Sequence, residues 1–410
     1  MKKQKILILH FPSLNNYGTG MMGLVTIQAL VDRFGSKNIE IYCDFNEETN
    51  IDEVKSELRT DVELKRYSND IPEKIASIRI SVIREILYRL YKIFYAEGKG
   101  FNRIIVIGGD DLSEYYSKNG AASNIYNKFK SSFLTKVILL GQTIGPFDHP
   151  HNRFASKYFL PRLHVYSRDA HSSEYMLNEF GVKLNQTADL ALTDLPLQYD
   201  KHIESELLSK YRLTQNEYYC VVVSGLQECN YYCDDTNTYL LRFKEIIDSL
   251  SKDPWLENKK ICLLAHTFPP YGDESALIQK LETLIDISLR DKVVIVKERI
   301  LPTRARFILG NGLFTITGRM HPAVSTFQMG KPAICLSYST KYKGVIGDSI
   351  GRYDLVIESN DPTLWEQGEI VTLVKEKYNY MITNYDIICS EITAKVSTQK
   401  QLVIDTLNEI

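Results

Sequence analysis

The sequence predicts an α/β protein of two Rossmann-like, doubly wound domains facing a cleft, followed by a C-terminal helical segment. Three observations carry that expectation. Short β-branched runs alternate with longer helical patterns along the whole chain, which is the rhythm of βαβ units and parallel sheets. Most of these runs end in glycine or a small polar residue just before a helix. The rhythm breaks once, between residues 196 and 216, and then starts again. A chain of 410 residues with 44% hydrophobic content is long enough to bury two cores.

The first series of strands reads Lys5 to Phe11, Ile39 to Cys43, Arg103 to Ile107, Lys136 to Gly141 and His164 to Ser167. Lys2, Lys3 and Lys5 before Ile6 to Leu9 imitate a secretion signal, but the apolar run is short and broken by His10, Pro12 and Asn15. It reads as a first buried strand. Pro196 to Asn216 is charged and opens on turn signals, so residues 1–195 form the first domain and 196–216 a connection. The second series, in residues 217–375, reads Tyr218 to Ser224, Ile261 to His266, Lys292 to Val296, Leu313 to Thr317, Ala333 to Ser337 and Leu355 to Ile357. After Pro362 the pattern is helical, with Trp365, Leu373, Ile387, Ile388 and Ile392 expected inward, and residues 376–410 are expected to pack back on the first domain.

Composition excludes several classes of function. A formal net charge of -2, with no basic block and no zinc-finger spacing, argues against a nucleic-acid partner. Seven cysteines, odd in number and mostly inside apolar strand-like runs, read as buried thiols of a reducing, cytoplasmic protein. Cys229 and Cys233 have a ligand-like spacing that no second pair completes, so no metal is expected. No run of about twenty apolar residues is present, and no membrane-spanning helix is expected.

Thr317 to Gly347 is the most informative stretch. Thr317-Gly318-Arg319-Met320-His321-Pro322 ends one strand, and the next strand ends before Lys341, Lys343 and Gly344. Cationic donors and one titratable imidazole thus gather at a single sheet edge, as a small and highly charged anion requires. Other strand ends carry Gly108-Gly109-Asp110-Asp111, where backbone approaches something closely and a carboxylate caps the next helix or faces the site. Gly141-Gln142-Thr143-Ile144-Gly145-Pro146-Phe147 makes a rigid rim, and Ser167-Arg168-Asp169 adds a cation.

Taken in order, Asn16-Tyr17-Gly18, Gly108-Gly109, Gly141 to Phe147, Ser167-Arg168-Asp169, Asp189 and Arg319-Met320-His321 leading to Lys341 and Gly344 resemble the polysaccharide pyruvyl transferase family over most of the chain. The resemblance implies a fold like that of GT-B glycosyltransferases. It also implies an enzyme of capsule or exopolysaccharide biosynthesis that attaches pyruvate from phosphoenolpyruvate to a sugar as a cyclic ketal, with no cofactor. On that basis His321 is assigned acid/base work and Arg319 anion binding, with Arg168, Lys341, Gln142, Gly145, Asn16, Gly18, Gly108 and Gly109 as substrate contacts. Asp111 after the double glycine and His266 at the end of the strand Ile261 to Ala265 join them as substrate contacts from their strand-end positions. The second domain would hold the donor and the first the glycan acceptor. Two departures, Thr19-Gly20 after the first motif and Asp110 where a third glycine is usual, fall on the acceptor side.

Plainer alternatives stay open for several of these residues. His321 before Pro322 suits a helix cap, Arg168 an ion pair with Asp169, and His266 an ordinary loop. Lys74 to Lys92 has isoleucine and leucine at helical spacing with Arg79, Arg84 and Arg89 between them. It is either a basic amphipathic helix lying on an anionic membrane, near a lipid-linked acceptor, or a helix packed on its sheet. Rival functions are a nucleotide-sugar glycosyltransferase, for which Glu298 is the candidate ribose contact, and a non-catalytic sugar-binding assembly protein.

Overall fold

The computed structural model describes residues 3–68, 77, 83–87, 95–114 and 120–410. Two parallel sheets organise them. The first contains β1 (Gln4–Leu9), β2 (Ile39–Cys43), β3 (Glu63–Arg66), β4 (Arg103–Ile107), β5 (Lys136–Gln142), β6 (His164–Ser167) and β7 (Asn185–Gln186), in the order β3-β2-β1-β4-β5-β6-β7. The second contains β8 (Tyr218–Val222), β9 (Lys260–Leu264), β10 (Val293–Val296), β11 (Thr315–Thr317), β12 (Ala333–Ser337) and β13 (Val356–Glu358), in the order β10-β9-β8-β11-β12-β13. Central strands such as Ile6 to Leu9 and Ile104 to Ile107 are apolar without alternation because helices cover both faces of each sheet.

Both sheets reverse strand order once, between β1 and β4 in the first and between β8 and β11 in the second. Such a switch point opens a crevice at the carboxyl ends of the strands, since the flanking connections leave to opposite sides. The two crevices face each other.

The domains are held together by buried polar contacts as well as apolar packing. The helix Tyr17–Phe34 lies against the second domain, where the Tyr17 hydroxyl accepts from the Ile300 amide at 2.8 Å. The buried Glu57 carboxylate accepts from the Thr303 amide at 2.9 Å and from Arg304 at 3.2 Å, and burial raises its pKa. Arg306, fully buried in the helix Pro302–Asn311, donates to the carbonyls of Ala191 and Thr193 and to Gln198. The long helix Tyr385–Glu409 returns to the first domain, and Arg33 and Arg103 both donate to the main-chain oxygen of Ile410, at 2.7 and 2.6 Å.

Several expectations need correction. β3 and β7 were not expected as strands. Glu63–Arg66 is an edge strand in which only Leu64 is buried, so its charged sequence carries no apolar run, and β7 has only two residues. The connection 196–216 contains the helix Lys201–Lys210, capped by Asp200; only Leu207 on it is buried, which explains the weak apolar rhythm. Ile387 is 61% exposed while Ile388 and Ile392 are buried, because adjacent residues on a helix point about 100° apart and only one can face the core. Of the basic segment Lys74 to Lys92, only residues 77 and 83–87 are described. Ile83, Ile86 and Leu87 are exposed there, and the rest of that expectation, including Arg79 and Arg89, lies outside the described residues.

Candidate active site

A cavity of about 540 Å³ occupies the space between the two switch points. The first domain contributes His10, Asn16, Gly108, Gly109, Asp110, Asp111 and Arg168 to its wall, and the second contributes His266, Arg319, His321, Tyr338 and Lys341. Each follows a strand end or starts a helix, where backbone groups and side chains converge. Gly108 is forced by crowding, since a Cβ there would lie 1.8 Å from the Gly141 carbonyl oxygen.

His321 stands in the first turn of the helix Met320–Gln328, and that helix has no side-chain cap, so the imidazole is free of the capping role. Its Nε2 is buried 3.6 Å from Asp189 Oδ2, close enough for an ionic contact and without hydrogen-bond geometry. The ring packs on Gly18, where an added Cβ would fall 2.3 Å from both Cγ and Nδ1. Two elements of the first domain therefore hold an imidazole that belongs to the second.

Asp189 is fully buried and shares its charge. Its Oδ2 accepts from Arg168 Nη1 at 2.8 Å and its Oδ1 from the Ala191 amide at 3.0 Å. Burial opposes ionisation, but His321 and Arg168 outweigh it and hold the carboxyl well below the usual range. Arg168 is paired with Asp189 and with the Thr143 hydroxyl at 2.8 Å, not with Asp169, which caps the helix Ala170–Phe180 through the Ser172 amide. Despite its burial the guanidinium pKa is raised, chiefly by Asp189.

Arg319 follows β11 and reaches back to Glu274 and the Tyr271 carbonyl, with Nε to Oε1 at 2.7 Å and Nη2 to the carbonyl at 3.3 Å. Glu274 is fully buried and also accepts from the amides of His266 at 2.8 Å, Thr267 at 3.0 Å and Gly225 at 3.3 Å. That carboxylate fixes the β8 and β9 loops and the arginine together, and it outweighs the burial that would lower the arginine's pKa. Arg319 Nη1 makes no hydrogen bond among the described residues, so the guanidinium keeps donors for a ligand.

Lys341 is 9% exposed, donates to the Tyr338 hydroxyl and bridges the domains to Asp110 Oδ2 at 3.0 Å. Burial works against its charge, but Asp110 and Tyr338 raise its pKa. Lys343, by contrast, is exposed. His266 is 1% exposed, packs edge-on against Tyr17 at 5.2 Å and leaves Nε2 without a hydrogen bond; burial, with His321 and Arg319 nearby, pushes its pKa well down.

Three expected contacts lie off the cavity wall. Gln142 is buried and donates to the Val106 carbonyl at 3.2 Å, so it ties β5 to β4. Gly145 packs under Tyr175, whose ring an added Cβ would meet at 2.4 Å. Gly18 acts through His321. Asn16 lines the cavity and also caps the helix Tyr17–Phe34 through the Gly18 amide, while its backbone bridges to Thr267. Glu274 was not expected at all, because an acid in the first turn of a helix looks like ordinary dipole compensation. Asp189 belongs to the motif order, but the sequence gives it no role.

No curated protein matches the chain by sequence. Solved structures resemble it in fold. A UDP-GlcNAc 2-epimerase from Neisseria meningitidis bound to UDP-GlcNAc superposes with a TM-score of 0.54 at 12% identity, over 99% of this chain and 100% of that one. The N-terminal domain of Candida albicans trehalose-6-phosphate phosphatase gives 0.53 at 8% identity, over 100% and 99%. The putative UDP-N-acetylglucosamine 2-epimerase of Listeria monocytogenes gives 0.52 at 11% identity, over 93% and 91%. These likenesses establish the two-domain, GT-B-like architecture. The family model described as polysaccharide pyruvyl transferase matches residues 16–340, which include the second switch point and the wall residues from Asn16 to Tyr338. The chain belongs to the polysaccharide pyruvyl transferase family.

Proposed function

We propose that the enzyme moves pyruvate from phosphoenolpyruvate to a sugar of a polysaccharide or lipid-linked repeat unit as a ketal, releasing phosphate. The observation that carries this reading is the convergence of Arg319, Lys341 and Arg168 on one cavity with an imidazole clamped between domains. A donor with a phosphate and a carboxylate around one enol carbon needs several fixed cations, and a planar guanidinium suits either anion. Arg319 and Arg168 each keep more unshared donors than Lys341. Transfer also requires a proton on the methylene carbon, after which the neighbouring carbon accepts the sugar oxygens. His321 supplies that proton in this reading, which is supported by Asp189 facing Nε2 and by an Nδ1 that makes no hydrogen bond among the described residues. The reaction balances without a cofactor.

A nucleotide-sugar donor has less support. Glu298, the candidate ribose contact, is engaged by Lys210 and Tyr211 and lies off the cavity wall. Thermal-shift titration distinguishes the donors: phosphoenolpyruvate stabilises the protein in this reading, since a ligand that binds only the folded state raises its melting temperature. Stabilisation by UDP- or GDP-sugars with no response to phosphoenolpyruvate would contradict it.

Peripheral membrane contact through Lys74 to Lys92 belongs to the same proposal. No helix among the described residues is long and apolar enough to cross a membrane. Co-sedimentation with anionic vesicles at low salt should fall when Arg79, Arg84 and Arg89 are replaced by glutamine, each basic residue contributing about 1 kcal/mol. Indifference of the unmodified protein to such vesicles would remove the contact.

His321→Ala should lower kcat by roughly 100-fold or more with the fold intact. Gly18→Ala, whose methyl would meet the His321 ring 2.3 Å away, should also lower kcat, with phosphoenolpyruvate still raising the melting temperature. Steady-state kinetics and thermal shift check both. A Gly18→Ala enzyme with wild-type kcat would show that the imidazole does not need its seat.

A further inference from the structure

We propose that His10 and Asp111 form the acceptor subsite, binding a neutral sugar diol, with His10 taking up a proton from one of its two hydroxyls. The inference rests on the pyruvyl-transfer reading and concerns the part of the first-domain wall around His10. His10 follows β1 at the switch point and has φ +64°, a left-handed conformation that a non-glycine residue adopts only when its surroundings impose it. Asp44 imposes it. Its two carboxylate oxygens accept from the His10 amide at 2.8 Å and the Phe11 amide at 2.9 Å. The conformation turns the imidazole toward Asp111, with Nδ1 buried 3.1 Å from Asp111 Oδ2 and not hydrogen-bonded. Both side chains remain partly open, 30% and 49% exposed, and both line the cavity.

The chemistry of this wall selects its ligand. Asp44, Asp110 and Asp111 all line it, and of these Asp110 is paired with Lys341. An anion would be repelled there, whereas hydroxyl groups donate to carboxylates and to a neutral imidazole nitrogen. Phosphoenolpyruvate therefore belongs beside Arg319, Lys341 and Arg168, and a uronic acid is a poor acceptor.

Ketal formation gives such a pair work. The methylene carbon gains a proton and becomes methyl while the first sugar oxygen bonds to the enol carbon and loses its proton. The bond from that carbon to the phosphate oxygen then breaks, with the electron pair leaving on phosphate. The second sugar oxygen bonds to the same carbon and loses its proton. Two hydroxyl protons leave: one balances the new methyl C–H, and the other leaves with phosphate. His321 serves the methylene carbon, and His10 serves an acceptor hydroxyl, with Asp111 orienting the ring and stabilising the imidazolium that forms.

The test uses the full chain, phosphoenolpyruvate and a panel of methyl galactosides, glucosides, amino sugars and the matching uronides, following phosphate release. His10→Asn is the first variant, because asparagine tolerates the left-handed conformation, and Asp111→Asn is the second. Acceptor kcat/KM should fall by roughly 100-fold or more in His10→Asn, while the thermal shift given by phosphoenolpyruvate stays as in wild type. The wild type should prefer the neutral glycoside to its uronide, and Asp111→Asn should narrow that preference. Wild-type acceptor kinetics in both variants would overturn the subsite while leaving pyruvyl transfer standing, and so would loss of the phosphoenolpyruvate shift with unchanged acceptor KM. Absence of turnover by the wild type across the panel would overturn the pyruvyl-transfer reading and the subsite with it.

Discussion

Asp189 Oδ2 lies 2.8 Å from Arg168 and 3.6 Å from His321, and the site is organised around that shared carboxylate. A buried carboxylate is expensive unless it is paired and hydrogen-bonded; Asp189 meets that condition within its own domain through Arg168 and the Ala191 amide, and His321 of the second domain adds an ionic contact to it. The same contact fixes the imidazole's direction and draws Arg168 into the floor. Gly18 completes the seat by leaving room for the ring. The geometry of the site and the docking of the domains thus meet at one carboxylate.

The two doubly wound sheets make this economical in chain length. Each delivers its functional groups from the carboxyl ends flanking its switch point: His10 and Gly108 after β1 and β4, and Gly225 and Arg319 after β8 and β11. Glu274 gathers two loops and Arg319 on the second side. Lys341 and Asp110 bridge the cleft, so a ligand anion arriving at Lys341 competes with a carboxylate already in place. The result is a cavity to which the second domain brings Arg319 and Lys341 and the first brings Asp44, Asp110 and Asp111 together with Arg168.

Much of this was legible in the sequence where one residue type has one physical use. Arg103 to Ile107 and Ala333 to Ser337 read as strands because buried parallel strands are continuous apolar runs, and Ile39 to Cys43 and His164 to Ser167 because buried residues alternate with less buried ones; their bounds agree with β4, β12, β2 and β6. Arg319, His321, Lys341 and Arg168 stood out as cations and an imidazole at strand ends, and all line the cavity. What escaped depends on the third dimension. Nothing local says that Glu274 holds Arg319 across 45 residues, or that Arg168 prefers Asp189 to its neighbour Asp169. Gln142 and Gly145 sit in a motif as informative as the others, yet they shape the rim from behind. The edge strand Glu63–Arg66 pairs on one side only and has no apolar signature to read.

The most direct test of pyruvyl transfer at this cavity follows carbon rather than phosphate. The protein would be incubated with phosphoenolpyruvate labelled with ¹³C at its enol carbon and with a glycan acceptor, and the product examined by carbon NMR. The account predicts that the label appears in the glycan as a quaternary ketal carbon bonded to two sugar oxygens, in step with phosphate release. Release of phosphate with the label recovered as free pyruvate, or an unchanged donor, would contradict it.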